Sequence, residues 1–365
     1  MKILYVITGL GVGGAERIVC DLADQMEKLG HIVEIVCLTG KALTIPKNKN
    51  IKIHFLNLDS IFDILKSYKN LNEIIINSKA DIVHAHMFHA ILLVRLSKLF
   101  YNKTVIISHA HNTSYGSYIR ALAYRSTNFL SDLNVNVSFE ATNNFIKNKI
   151  FNKKNTLTVL NGIDVEKYKK NILIRNEMRN SFSHSDEDFI LINVASLTEQ
   201  KDHINLINAY CYILNKGIPQ SHLYIVGEGP LRNLLELEIN KLNMSDKITL
   251  LGIRKDIDKL LNMSDLFILS SAWEGLPLVV AEAMATEKIV VSTNCGGVKE
   301  IINNNEMLVN IKNPVELGDK ILDIISLSSN EKDKIAYENR QKVKEFYSLN
   351  SMAENWNNIY METRK

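Results

Sequence analysis

The chain has 365 residues, 46% of them hydrophobic and 23% charged, with a net charge of +3. That length predicts two domains, and the composition is that of an ordinary globular protein rather than a disordered or collagen-like one. No run of ~18 apolar residues occurs, which excludes a hydrophobic spanning helix. Cys20, Cys37, Cys211 and Cys295 are scattered without metal spacing and predict reduced thiols in the cytoplasm.

Met1–Ile7 runs straight into glycines without a small-residue cleavage site, so it reads as a first strand and not as a signal peptide. Gly9, Gly11 and Gly14 then satisfy G-x-G-x-x-G ahead of a helix over Ile18–Leu29 and a strand over Ile32–Leu38. A dinucleotide site needs an acid at the far end of that second strand. Glu34 has the right count but lies near the strand's start, which argues against NAD. No Gly-Lys-Ser/Thr follows, so this is not a nucleoside-triphosphate loop. What survives is that glycines, Gly13 and Gly14 among them, let backbone N–H groups approach a phosphate at a helix N-terminus.

Strands over 51–56, 80–84 and 104–108, with helices over about 60–78 and 88–100, argue for a parallel, doubly wound sheet. The helix over 88–100 is apolar almost all round. The next, over 116–130, carries Tyr118, Arg120, Tyr124, Arg125 and Phe129, and fits either a bilayer surface or a core helix with a polar rim. Residues 1–165 hold 19 Lys/Arg against 12 Asp/Glu, and residues 166–365 hold 24 against 28. A basic first half suits an anionic lipid or membrane more than nucleic acid, although scattered solvated charge gives the same counts. His84, His86 and His89 follow one strand and His109 and His111 the next, at the ligand edge of a parallel sheet. No nearby carboxylate or cysteine completes a metal set, so no metal is expected there.

Val159–Asp164 ends one more strand and turns on Asn161-Gly162. After a polar stretch a second series of strands begins, at 189–194, 223–226, 248–251, 266–269 and 289–292. Two α/β domains facing a central cleft are therefore predicted. Loops at strand ends in the second carry Lys201, Gly227-Glu228-Gly229-Pro230, Arg254 and Gly296-Gly297. Asp256-Ile257-Asp258 opens a helix and reads as an N-cap rather than a metal pair. The strand Leu266–Leu269, the turn Glu274-Gly275-Leu276-Pro277 and a helix over Leu278–Ala285 put a helix N-terminus at the sheet's carboxyl edge. Glu274 and Glu282 taken alone fit a cap and a solvated helix residue. With cations and glycine turns around them they also fit acceptors for sugar hydroxyls, and hydroxyls plus phosphate plus a planar ring point to a nucleotide sugar.

Gly13-Gly14-Ala15-Glu16-Arg17, Asn161-Gly162-Ile163-Asp164, Leu197 to Lys201, Val226 to Arg232, and Glu274 with Glu282 as E-x7-E resemble, in order and spacing, the retaining two-Rossmann-domain (GT-B) enzymes of glycosyltransferase family 4. That large family includes sucrose-phosphate synthase and bacterial surface-polysaccharide enzymes. The resemblance implies an acceptor-binding domain over 1–165, a donor-binding domain over 166–345 and a last helix, 346–365, crossing back to the first. It implies that Glu274 contacts donor-sugar hydroxyls, Glu282 the ribose, Lys201 and Gly14 phosphate, and the backbone of Gly275, Leu276, Pro277 and Leu278 the sugar or diphosphate. His111 matches the histidine near the reacting sugar, with His109 as rival, and His86 and His109 are acceptor-side candidates. The family's arginine five residues before the lysine is Ser196 here, so Arg254 or a basic residue of the first domain is expected to substitute.

The implied reaction is retaining, metal-independent and cofactor-free transfer of a hexose or N-acetylhexosamine from a UDP-sugar, or a GDP-sugar, to a glycan or polyprenyl-diphosphate-linked acceptor in cell-surface polysaccharide synthesis. The expected location is cytoplasmic and peripheral to the inner face of the membrane. A sugar-nucleotide epimerase and a non-catalytic nucleotide-sugar-binding subunit remain as alternatives, the latter favoured by Ser196.

Overall fold

The computed structural model describes every residue except Val12, residues 101–103, Pro219, Asn303 and Lys365, and the side chain of Ile61. Val12 of the glycine run thus lies outside the described residues. The chain forms two compact units, one of Met1–Gly162 with Ser348–Lys365 and one of Ile163–Tyr347. Each is an α/β unit around a parallel sheet, as expected for the two Rossmann-like domains of a GT-B chain.

In the first unit β1 (Lys2–Ile7), β2 (Ile32–Cys37), β3 (Lys52–Phe55), β4 (Ile82–His86), β5 (Val105–Ala110), β6 (Leu133–Asn136) and β7 (Thr156–Thr158) pair in the order β3-β2-β1-β4-β5-β6-β7. The order reverses between β1 and β4, which places the loops after these two strands at the unit's ligand-binding edge. Ile3 to Ile7 of β1 are fully buried, as a strand covered by helices on both faces must be. β4 and β5 run two residues further than their sequence suggests, because His84, His86 and His109 enter the sheet and are buried in it. β6, Leu-Asn-Val-Asn, has no apolar run to announce it. Asn134 accepts from Arg95 Nη2 at 2.6 Å, and Asn136 Nδ2 donates to the Asn112 carbonyl at 3.2 Å. Arg95 is itself fully buried on the helix Phe88–Ser97, donating also to Ser108 Oγ and Thr127 Oγ1, so that apolar helix conceals a solvated-looking cation.

The helix Leu349–Thr363, capped by Ser348, belongs to this unit and packs on the helix Gly14–Lys28. Its Trp356 and Tyr360 are fully buried, and the Tyr360 hydroxyl lies 3.2 Å from that of Tyr5 and 2.7 Å from His84 Nδ1. A Cβ on Gly162 would stand 2.6 Å from the Ser348 carbonyl oxygen. The glycine that reads as a turn residue is therefore required by the close passage of the returning chain.

In the second unit β8 (Phe189–Val194), β9 (Ser221–Val226), β10 (Ile248–Leu250), β11 (Leu266–Leu269), β12 (Ile289–Thr293) and β13 (Leu308–Val309) pair as β10-β9-β8-β11-β12-β13. The reversal now falls between β8 and β11, so the loops opening at Ala195 and Ser270 are the ones a ligand meets. The helix Leu278–Ala285 is buried from Val280 to Ala285, packed on β12 and on the helix Ser329–Phe346, which explains its apolar composition all round. Among the described residues no helix is long and apolar enough to cross a membrane.

Candidate functional site

The two reversal-point loops of the second unit are stitched together by their backbones. Ala272 N–H donates to the Gln200 carbonyl at 2.8 Å, and Ser270 Oγ donates to the Lys201 carbonyl at 2.8 Å. This brings Lys201 Nζ to 2.6 Å from Glu274 Oε1. Ser271 Oγ donates to the same oxygen at 2.6 Å, while Gln200 Nε2 donates to Glu274 Oε2 at 3.3 Å and to the Trp273 carbonyl at 2.9 Å. The Glu274 carboxylate is thus held in one orientation by a cation, a hydroxyl and an amide. Gly296, at φ +55°, lies so close behind it that a Cβ would stand 2.0 Å from the Glu274 carbonyl oxygen, and Gly297 N–H donates to the Gly275 carbonyl at 2.8 Å.

Glu282 lies further along the helix that starts at Leu278 and is buried there. The N-cap of that helix is Pro277, which has no side-chain acceptor to offer, whereas seven other α-helices among the described residues are closed by Ser, Asn or Asp. Gly275 to Leu278 therefore present a helix N-terminus with its positive dipole end open to an anion.

Arg254 does not reach this group. Its guanidinium forms a two-pronged pair with Asp256, Nε to Oδ1 at 2.8 Å and Nη2 to Oδ2 at 2.5 Å. The same pairing corrects the expected cap: Asp256 occupies the N-cap position of Ile257–Met263, but its carboxylate is spent on Arg254 and bonds no helix N–H. A pocket of about 520 Å³ beside the Glu274 loop is lined by Ser196, Thr198, Gln200, Pro230, Leu231 and Trp273. It offers two flat apolar surfaces, Pro230 and a half-exposed Trp273 that sequence reading passed over; a tryptophan directly before the first acid of the E-x7-E pair was the available signal. A second pocket, around Lys288 and Asp265, opens at the beginnings of β11 and β12, the opposite edge from the one ligands use in such sheets, and is crossed by the Arg175–Asp265 ion pair.

In the first unit Gly13 and Gly14 are exposed at the start of the helix Gly14–Lys28, again without a side-chain cap. The histidines do not line an open edge as expected. His84, His86 and His109 are fully buried, His111 keeps some exposure, and His89 is exposed on the helix that follows β4. His86 Nδ1 and His111 Nε2 are 3.0 Å apart, and the His109 and His111 rings stack at 4.2 Å. Burial and, for the inner three, neighbouring imidazoles push His84, His86, His109 and His111 well below the ordinary histidine range, the last to about 4. All four are therefore neutral at physiological pH.

The family described as Glycosyltransferase Family 4 matches residues 12–167, and that described as Glycosyl transferases group 1 matches residues 174–343. An uncharacterised glycosyltransferase of Methanocaldococcus jannaschii is 34% identical over 258 residues, 66% of this chain and 62% of that protein, so the match spans less than two thirds of its length. The UDP-Gal:alpha-D-GlcNAc-diphosphoundecaprenol alpha-1,3-galactosyltransferase of Escherichia coli is 26% identical over 322 residues, 83% of this chain and 82% of the relative. The crystal structure of Anabaena Alr3699/HepE in complex with UDP and glucose superposes with a TM-score of 0.82 at 20% identity, covering 98% of this chain and 99% of the other.

Proposed function

Because this chain belongs to glycosyltransferase family 4 and has the GT-B fold, we propose that it transfers a hexose or N-acetylhexosamine from a UDP-sugar to a polyprenyl-diphosphate-linked acceptor, retaining the anomeric configuration. The observation that carries the reading is the Glu274 carboxylate fixed by Lys201, Ser271 and Gln200 beside an uncapped helix N-terminus. A carboxylate with its orientation locked is suited to accept sugar hydroxyls, and the helix end next to it is suited to a diphosphate.

In this reading the second unit binds the donor. Glu274 takes the sugar hydroxyls, Glu282 the ribose, and the Trp273–Pro230 pocket the planar base. Lys201 and the N–H groups of Gly275, Leu276 and Leu278 meet the diphosphate and stabilise the charge that grows on it as the glycosidic bond breaks. Lys201 then replaces the missing cation at Ser196 only in part, since Arg254 is engaged by Asp256. The first unit contributes the open helix end at Gly13 and Gly14 for phosphate, and His111 as a neutral hydrogen-bonding group toward the reacting sugar. His86 acts behind His111 and not on the acceptor, because it has no exposed surface. The donor nucleotide and the lipid-linked acceptor are supported by the name of the Escherichia coli relative and by the UDP complex of the Anabaena protein.

A peripheral membrane contact fits one surface of the first unit. Tyr118, Ile119 and Leu122 of the helix Tyr118–Thr127, with Phe129 beyond it, are exposed. Residues 113–131 and 141–163 hold six Lys/Arg and no Asp/Glu, and Arg125 joins the two segments by donating to the Asn148 carbonyl at 2.7 Å. Apolar side chains beside cations suit an anionic bilayer surface.

The deciding experiment incubates the full chain with UDP- and GDP-sugars, with and without polyprenyl-diphosphate-linked sugars. Product that requires the acceptor supports transfer, and Glu274→Ala should lower it at least ~100-fold with the fold intact. Interconversion of the donor without acceptor, or binding without turnover, rejects the reading.

A further inference from the structure

His84 and His86 project from one face of β4 two residues apart, and His109 of β5 is the register partner of His86. All three are completely buried. A buried imidazole nitrogen without a partner is unfavourable, and folded interiors hold few such atoms. Here His84 Nε2, His86 Nε2 and both nitrogens of His109 are without a hydrogen bond. One ring nitrogen from each of the three lies within 4.8 Å of the others. In two of them the other ring nitrogen, Nδ1, is already anchored, that of His84 by the Tyr360 hydroxyl at 2.7 Å and that of His86 by His111 at 3.0 Å, which leaves each Nε2 as the nitrogen to offer.

We infer that His84, His86 and His109 form a binding site for one divalent transition-metal ion of the zinc type, buried in the first unit. Neutral imidazoles select zinc, cobalt, nickel or copper and disfavour magnesium and calcium, which want carboxylate and carbonyl oxygens. Metal–nitrogen bonds of ~2.1 Å in a tetrahedral set place the ligating atoms roughly 3.4 Å apart. The observed separations therefore have to close by at most about 1.4 Å, which ring rotation about the soft χ2 torsions can supply. Three histidines leave a fourth position for water. The anchored opposite nitrogens are the outer partners that metal-bound histidines ordinarily have. Sequence reading found no completing carboxylate or cysteine. The set is completed instead by a third histidine from the neighbouring strand, which spacing along one strand does not reveal.

The ion has a definite effect on the surface group. With His86 Nε2 on the metal, its proton resides on Nδ1 and is donated to His111 Nε2, which fixes the His111 proton on its own Nδ1. The site rests on the first unit alone and stands or falls independently of the transfer reading.

The test uses the full chain, stripped with a chelator and titrated with Co²⁺ or Zn²⁺ alone. One ion per chain should bind saturably, with the visible absorption of nitrogen-ligated cobalt and a higher Tm in Zn²⁺. His84→Gln and His109→Gln should each weaken binding at least ~100-fold. Tyr360→Phe, which keeps every ligand, should weaken it about 10-fold, and the exposed His89→Gln should leave it unchanged. Circular dichroism establishes that each variant is folded. If the two ligand variants do not fold, the wild-type titration and Tyr360→Phe decide alone. Absence of a cobalt band and of any Zn²⁺-dependent Tm shift in the wild type overturns the proposal, as does unchanged affinity in folded His84→Gln and His109→Gln.

Discussion

The ammonium of Lys201 lies 2.6 Å from Glu274 Oε1, and the two side chains are only 17% and 5% exposed. A pair this shielded is worth little as a surface salt bridge would be counted, but removing one partner strands the other, at a cost of ~3–5 kcal/mol when burial is complete. A donor that hydrogen-bonds Glu274 and places its diphosphate near Lys201 would engage both members together.

Single and double substitution should therefore be strongly non-additive. Lys201→Ala and Glu274→Ala are each expected to reduce kcat/KM at least ~100-fold, with the double variant little worse than either single one. Steady-state kinetics of the three proteins checks this. Effects that multiply would mean the two residues act separately.

Gly296→Ala tests how the carboxylate is held from behind. Its Cβ would stand 2.0 Å from the Glu274 carbonyl oxygen at a backbone φ of +55°. The substitution should cost ~1–3 kcal/mol of stability and more than ~10-fold in kcat/KM, because the Glu274 loop must move. Thermal melts and kinetics on one preparation measure both. Wild-type kinetics in this variant would show that loop placement is unimportant.

Acid should destabilise the second unit in a definite window. Burial lowers His203 and His222 to about 4, with Lys201 reinforcing the effect at His203 and His184 and Lys247 at His222. Their unfolded-state values are about 6.5, so between about 6.5 and 4 the unfolded chain binds more protons than the folded one. Stability is then complete above about 6.5 and lost as pH falls toward 4, by about 2 kcal/mol at pH 5 for the fully buried His203 alone. Urea melts from pH 7.5 to 4.5 should show the decline, and His203→Gln should flatten it. A slope unaffected by that variant would refute the assignment.

Vesicle binding should follow the exposed helix in the first unit. The Ile119→Glu/Leu122→Glu variant is expected to reduce partition onto phosphatidylglycerol-containing vesicles at least ~10-fold, with wild-type binding weakened by salt. Cosedimentation measures this, and equal partition of wild type and variant would place the contact elsewhere. Transfer to a short, water-soluble acceptor should be unaffected.

Much of the layout can be read from residue order. Leu266–Leu269 and Leu278–Ala285 fall where apolar runs and a Gly/Pro turn put them, because the strand and the helix from Val280 onward are buried on all sides and need no partner's pattern to be recognised. The first-unit strands that ran past their predicted ends, β4 and β5, did so over histidine, and β6 escaped notice altogether, since its asparagines resemble loop residues until Arg95 and the Asn112 carbonyl are seen to satisfy them. At the site, Glu274 and Lys201 are legible from spacing. That Ser271 and Gln200 orient the carboxylate, or that Arg254 is consumed by Asp256, depends on side-chain directions that spacing does not carry.

The return of residues 348–365 to the first unit, sealed at Gly162, has a consequence for biosynthesis. The first unit is interrupted in the chain by the whole of the second, so residues 163–347 are synthesised before Trp356 and Tyr360 exist. The second unit has its whole sequence within residues 163–347 and can close without the last segment, while the earlier-made one waits for residues 348–365 with the seat of an indole and a phenol unfilled. A ribosome stalled or a message truncated after residue 347 would release a protein whose later-made half is complete and whose earlier-made half lacks its closing helix.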